Sequence, residues 1–174
     1  MVGTAMKNRY ISAVAALALI GAVAITPATA ATPKVSATLK AQLIYLVQEE
    51  KLARDVYAAL AVSTGINKFA NITKSEQTHM DQLKVLLKTY GIKDPTLNLK
   101  AGVFVDKKLT ALYATLMTKA ALSSSDAIAV GVLIEQTDIA DIAKMTKTVT
   151  QADIKLTLAN LLKGSENHLA AFSR

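Results

Sequence analysis

Two residues that can bind a metal ion or move a proton, Glu76 and His79, lie three positions apart in the segment NITKSEQTHMDQLKVLL. In a helix this spacing puts both side chains on one face. The same face carries Phe69, Leu83 and Leu86, so it has the pattern of a stripe that packs against a protein core. A carboxylate and an imidazole are costly to bury there unless they have partners. The segment therefore predicts a buried polar site that other parts of the chain complete.

Three further segments carry an apolar stripe that polar residues interrupt. Counting along them in steps of three and four places Glu50 in the first stripe, Glu135 and Asp138 in another, and His168 in the last. Helices packed side by side can bring such interruptions to one level. The predicted metal ligands are Glu50, Glu76, His79, Glu135, Asp138 and His168.

The first stripe leaves three points open. Periodicity alone does not choose between Glu50 and Glu49, because Glu49 also lies on a partly apolar line. Arg54 can pair with Glu50 across one helical turn or form an ordinary exposed ion pair. Tyr57 fits a packed core tyrosine, with a hydrogen-bonding or redox role as the alternative.

Carboxylates and imidazoles gathered in a core suit divalent iron or manganese, and zinc also accepts such ligands. Proteins that hold two such ions inside four helices use one Glu from each of two helices and a Glu-x-x-His pair from each of the others. Buried anions repel one another until cations lie between them, and the four acids of the predicted site would balance two divalent ions. A structural network of buried hydrogen bonds is the alternative.

Helix-favouring residues, caps and Gly or Pro breaks predict an all-α fold without strands. The segment SSSD offers a cap for the third long helix, and Thr150 offers one for the fourth. The long connection after the second helix carries a short helix over residues 109–122, which fits a ferritin-like four-helix bundle better than an up-and-down bundle. The predicted long helices cover about residues 38–61, 68–90, 125–147 and 151–172.

Residues 1–30 have the pattern of an export signal. Lys7 and Arg9 precede the apolar run YISAVAALALIGAVAIT, and the triplet ATA before residue 31 is a small-x-small cleavage site. An uncleaved membrane anchor is the alternative, because the run is near the lower limit for spanning a bilayer. Residues 31–174 have the size of one domain. We expect a secreted, periplasmic or cell-surface protein with no membrane contact after cleavage.

The 174-residue chain has a formal net charge of +7, which falls to +5 without Lys7 and Arg9. Its lysines are scattered, with no basic run and no aromatic residues between basic ones, so nucleic acid is not an expected partner. The chain contains no cysteine, so packing, together with any bound metal, must provide its stability. The expected partners are metal ions, and the sequence is compatible with a homo-oligomer.

Four blocks of the sequence resemble a known family: EEKLARDVY, FANITKSEQTHM, AIAVGVLIEQTDIADI and GSENHLAAF. They are similar to the characteristic blocks of an uncharacterised ferritin-like family of bacteria and archaea, domain-of-unknown-function family 2202. The resemblance covers roughly residues 40–174.

More distantly, the pattern resembles rubrerythrin and its relatives. This resemblance selects Glu50, which stands ahead of KLAR, and it matches the other five predicted ligands in order along the chain, with Asp138 as a shorter acid where the relatives have a Glu. A second position lacks the acid altogether, because Ser165 stands where the relatives have the Glu of the last Glu-x-x-His. Glu166 is the next residue, but one helical step turns it about 100° off the stripe. A two-metal centre, a single-metal site and a centre completed by water are all compatible with this pattern.

The resemblance implies a ferritin-like metal-binding protein with one or two iron ions, with manganese or zinc as alternatives, and the export signal predicts that it is exported. The resemblance also implies a di-iron or di-manganese oxidoreductase that reacts with dioxygen or peroxide. A non-catalytic metal-binding module and a structural bundle that has lost its metal site are the two rival hypotheses.

Overall fold

The structure, a computed structural model, describes Met1 and residues 32–174. This part of the chain forms five α-helices and no strand, which confirms the predicted all-α fold. The predicted export signal, residues 1–30, lies outside the described residues apart from Met1. None of the described helices combines the length and the apolar character that a membrane span needs. The helices are α1 (Ala37–Thr64), α2 (Asn67–Thr89), α3 (Lys107–Ala120), α4 (Ser124–Thr146) and α5 (Ala152–Phe172).

Local signals explain where most of the helices begin and end. The hydroxyl of Ser36 caps α1 by accepting a hydrogen bond from the backbone N–H of Leu39 at 3.1 Å. Gly65 ends this helix in the left-handed conformation, with φ of 68°. Ser123, the first serine of SSSD, caps α4 as the sequence predicts.

The predicted cap of the last helix is wrong. Gln151, not Thr150, holds the capping position of α5, and its side chain makes no cap hydrogen bond. The amide oxygen of Gln151 instead accepts from the backbone N–H of Thr150 at 3.2 Å. This contact engages the backbone of Thr150 in the turn, and α5 begins one residue later than predicted.

The four long helices contact one another in a closed ring, in the order α1, α2, α5 and α4. One apolar cluster joins Leu43 near the start of α1 with Leu87 at the end of α2, Ile142 at the end of α4 and Ile154 at the start of α5. Because starts meet ends in this way, α1 and α5 run in one direction, and α2 and α4 run in the other.

The connection between α2 and α4 follows from this arrangement. Two parallel helices cannot be joined by a short turn, so residues 90–123 must run from one end of the ring of long helices to the other. Helix α3 lies within this connection and packs against α1 and α4. Its buried residues Leu109 and Leu116 join the second apolar cluster, with Phe69 and Phe172, at the other end of the ring.

A buried ionic cluster on α1 fastens the start of this connection. The ammonium of Lys51 lies 2.5 Å from Oδ2 of Asp55 and donates to the carbonyl of Lys100 at 2.8 Å. The backbone N–H of Gly102 donates to the same carboxylate at 3.0 Å. Arg54 also binds Asp55, at 2.6 Å, and does not form the ion pair with Glu50 that the sequence left open.

We expect Asp55→Ala to lower the free energy of unfolding by about 3 kcal/mol or more, because it leaves the buried ammonium of Lys51 without its anionic partner. Urea denaturation measures this effect. The matched control is Asp81→Ala on the exposed face of α2, which should change stability by less than about 0.5 kcal/mol. Equal effects of the two substitutions would contradict the anchoring role of Asp55.

Candidate metal centre

A layer of polar side chains lies inside the ring of long helices, between the two apolar clusters. Every long helix contributes to it, because each apolar stripe is interrupted at the same level. Each of the six residues is at least nine-tenths buried, with an exposed fraction between 1% and 8%. The residues of this layer are Glu50 from α1, Glu76 and His79 from α2, Glu135 and Asp138 from α4, and His168 from α5.

The first group of potential ligands is Glu50, Glu76 and His79. Nδ1 of His79 lies 3.2 Å from Oε2 of Glu50 and 2.9 Å from Oε2 of Glu76. These atoms face one another from α1 and α2. Three buried ligand atoms at this separation can hold one metal ion.

The second group is Glu76, Glu135 and His168. Nδ1 of His168 lies 2.8 Å from Oε1 of Glu76 and 3.5 Å from Oε1 of Glu135. Glu76 therefore belongs to both groups and offers one oxygen to each histidine. The two imidazole rings stack with their centroids 5.5 Å apart. One carboxylate thus lies between two potential metal sites.

The hydrogen bonding of this layer is incomplete, which fits a bound metal. Oε1 of Glu50, Oε1 of Glu76 and Oδ1 of Asp138 are buried and have no hydrogen-bond partner among the described residues. Nδ1 of His168 lies 2.8 Å from Oε1 of Glu76 but has no partner that meets hydrogen-bond geometry. Buried polar atoms are normally paired, so these orphaned donors and acceptors are suited to coordination.

Burial and the neighbouring acids raise the pKa of the Glu50 and Asp138 carboxyl groups in this layer. Burial raises the pKa of Glu50 well above its ordinary value, and the nearby Asp138 and Glu76 raise it further. Burial also raises the pKa of Asp138 to about 7; the hydrogen bond from Ser165 opposes this shift and Glu76 adds to it. Positive charge at the centre would favour the ionised acids.

Two imidazoles compensate the central carboxylate. Desolvation raises the pKa of Glu76, but His168 and His79 outweigh this effect and hold the pKa at about 2. Desolvation lowers the pKa of His168, but Glu135 and Glu76 outweigh it and raise the pKa to about 10. In the metal-free protein at neutral pH, a proton on His168 therefore supplies part of the positive charge that this layer requires.

Asp138 is the one predicted ligand outside both groups. Its Oδ2 accepts a hydrogen bond from the hydroxyl of Ser165 at 2.5 Å. Ser165, the position at which the sequence departs from the expected ligand pattern, is fully buried. The serine therefore contacts the layer from α5 and holds Asp138.

The phenol of Tyr57 contacts the layer from α1. Its buried hydroxyl donates a hydrogen bond to Oε1 of Glu135 at 2.7 Å. Burial and the neighbouring Glu135 raise the pKa of this phenol well above its ordinary value, so the hydroxyl keeps its proton. Tyr57 is a buried core tyrosine, as the sequence predicts, and it also makes the hydrogen bond that the sequence leaves as the alternative.

Gly164 is a residue of this centre that sequence reasoning missed. A Cβ atom at this position would lie 2.3 Å from Nε2 of His79. The ring of His79 therefore packs against the backbone of α5, and its Nδ1 is the nitrogen that faces the carboxylates. The only signal in the sequence is the glycine that opens the block GSENHLAAF, next to Ser165 in a segment that is otherwise predicted to be helical.

Residues 40–174 match the protein family described as "Uncharacterized protein domain (DUF2202)". The chain belongs to this family. Its sequence is 47% identical over 135 residues to "Uncharacterized protein MJ0754" of Methanocaldococcus jannaschii, a match that covers 78% of this chain and 73% of the relative. The resemblance noted for the four sequence blocks is confirmed at the level of the DUF2202 family.

Two solved structures are similar to this fold. The crystal structure of hypothetical protein MJ0754 from Methanococcus jannaschii matches with a TM-score of 0.78 and 46% identity over 80% of each chain. The crystal structure of a conserved hypothetical protein, rv2844, from Mycobacterium tuberculosis matches with a TM-score of 0.59 and 16% identity, over 80% of this chain and 98% of the other. The second likeness concerns the fold alone.

We expect Gly164→Ala to weaken metal binding at least about tenfold, because the added methyl group displaces His79. Alanine normally stabilises a helix by about 1 kcal/mol relative to glycine, so a net loss of stability would itself report the clash. Calorimetric titration with manganese and urea denaturation measure the two effects. Glu166→Ala, on the exposed face of α5, is the control, and an equal response of both variants would contradict the close packing of His79 and Gly164.

Proposed function

We propose that this DUF2202 protein binds two divalent first-row metal ions, iron or manganese, with Glu76 as the ligand shared between them. The observation that carries the proposal is the position of Glu76, which offers one oxygen to the group of His79 and the other to the group of His168. Imidazole and carboxylate together suit these two metals. Zinc is a further candidate for the same ligands.

The charges of the centre support two ions. The four carboxylates Glu50, Glu76, Glu135 and Asp138 would be neutralised by two divalent cations, which would also remove the repulsion that raises the pKa of Glu50. The proton on His168 would leave when a metal binds, because only neutral imidazole is a ligand. The Ser165 position does not prevent this arrangement, since Glu76 supplies a carboxylate to both groups.

We further propose that the four long helices form a ferritin-like bundle. Helices α2 and α4 run parallel and need the long connection that carries α3, which is the crossover pattern of ferritin-like proteins. Each of the four helices contributes at least one ligand to a level inside the ring, as in the di-metal proteins of this class.

The residues of the chain would position and shield the ions. Glu50 and His79 would hold one ion, and Glu135 and His168 the other. Tyr57 would fix the orientation of Glu135, and buried leucines of α3 such as Leu109 and Leu116 would limit the access of water. When bound, iron or manganese supplies the redox chemistry toward dioxygen or peroxide that protein side chains lack.

Three functions are candidates for this protein. An oxidoreductase that acts on dioxygen or peroxide is our leading proposal, a non-catalytic metal-binding module is the second, and a structural bundle without metal is the third. Metal content separates the third from the others. Turnover of hydrogen peroxide by the metal-loaded protein, compared with the metal-free protein, separates the first from the second. Export to the cell surface or beyond remains a proposal that rests on the sequence of residues 1–30.

We expect anaerobic titration with ferrous iron or manganese to give two ions per chain. Glu76→Gln should lower the binding affinity for both ions at least about tenfold, which is about 1.4 kcal/mol of binding free energy for each, because the shared ligand loses its charge. His79→Ala and His168→Ala should each weaken the binding of one ion and leave the binding of the other unchanged. Glu166→Gln, an exposed acid on α5, is the control and should bind like the unmodified protein.

The shared role of Glu76 would be wrong if Glu76→Gln weakened only one ion. Absence of saturable binding of iron, manganese and zinc to the folded, unmodified protein would overturn the metal proposal as a whole.

A further inference from the structure

A second feature of the interior is an apolar cavity that reaches the polar layer. It has a volume of about 160 Å³ and lies between α1, α3 and α4. Its walls include Leu109, Leu112 and Leu116 of α3, Ala53 of α1 and Leu133 of α4. Leu112 and Leu133 are 39% and 43% exposed, so this wall extends to the protein surface.

The inner end of the cavity is lined by carboxyl groups. Glu49, Glu76, Glu135 and Asp138 all contribute to the lining. Oε2 of Glu49 and Oδ1 of Asp138 are buried and have no hydrogen-bond partner among the described residues. The other polar side chain of the lining, Thr137, is already engaged, because its hydroxyl donates to the carbonyl of Leu133 at 2.9 Å.

This combination defines the chemistry of a ligand. An apolar cavity of about 150 Å³ lined by large aliphatic side chains is sufficient to bind benzene. The unpartnered carboxyl oxygens at the inner end require a group that can both donate and accept, since a carboxyl group donates when protonated and accepts when ionised. A hydroxyl group meets both requirements. A ligand with a negative charge would be repelled by the four carboxyl groups that line this cavity.

We propose that this cavity binds a small apolar molecule of about six carbon atoms that carries one hydroxyl group, with the hydroxyl placed against Glu49 and Asp138. Glu49 is not a predicted metal ligand and Asp138 lies outside both groups of three, so the binding itself does not require a metal. The further statement that such a molecule is the substrate class of the centre rests on the proposed function. Glu76 and Glu135 line the cavity and also belong to the metal-binding groups, so the bound hydroxyl would lie beside the metals.

Phenol is the probe that fits this description, with benzene and benzoate as its matched comparisons. We expect saturable binding of one phenol to the metal-free protein, observed by calorimetry or by NMR of the probe. Benzene should bind at least tenfold more weakly because it lacks the hydroxyl, and benzoate should not bind because of its charge.

Two variants change the cavity without touching the acids. Ala53→Leu narrows it from α1, and Leu112→Trp closes its outer end, where a larger side chain can extend into solvent. Each should lower the affinity for phenol at least tenfold. Ala58→Leu on the exposed side of α1 and Leu156→Trp on the exposed side of α5 are the controls and should bind phenol within twofold of the unmodified protein.

The pocket and the metal centre can fail separately. If manganese binds, the ring protons of bound phenol should relax much faster in the manganese-loaded protein than in the zinc-loaded protein. Phenol binding without any metal binding would overturn the proposed function and leave the pocket in place. Absence of saturable phenol binding to the folded protein, whether or not metal binds, would overturn the pocket. Phenol binding that both cavity variants leave unchanged, while they remain folded by circular dichroism, would also overturn it.

Discussion

The burial of Glu76 between two histidines is the interaction on which the rest of the centre depends. One oxygen of this carboxylate lies 2.9 Å from His79 of the same helix, and the other lies 2.8 Å from His168 of α5. A buried anion requires partners, and the imidazoles of His79 and His168 can both lie beside this one because α2 and α5 are adjacent. Glu50 and Glu135 then approach from α1 and α4. The carboxylate of Glu76 therefore lies close to polar side chains from all four long helices.

This polar layer costs stability and separates the apolar core into two clusters. One cluster packs at each end of the ring, and the layer lies between them. The long connection is held at Asp55, where Lys51, Arg54 and the backbone of Gly102 converge, so α3 is kept against α1 and α4. The same placement of α3 leaves an apolar cavity beside the carboxyl groups. The helix that packs against α1 and α4 therefore also lines the cavity.

The sequence predicts that the six polar residues share one buried level because buried polar residues interrupt periodic stripes, and this signal is local to each helix. The position of Glu76 between two groups could not be predicted, since it depends on which helices are neighbours. The contact of Gly164 with His79 and the pairing of Arg54 with Asp55 depend on tertiary packing in the same way. The helix start at Ala152 was misplaced by one residue because Gln151 competes with Thr150 in the turn.

Anomalous X-ray diffraction from crystals of the manganese- or iron-loaded protein tests the central claim most directly. The account predicts two anomalous peaks inside the ring of long helices, one on each side of the Glu76 carboxylate. Each peak should be bonded to a different oxygen of Glu76 and to Nδ1 of one histidine, His79 or His168. A loaded protein with a single peak, or with peaks that Glu76 does not contact, would contradict it.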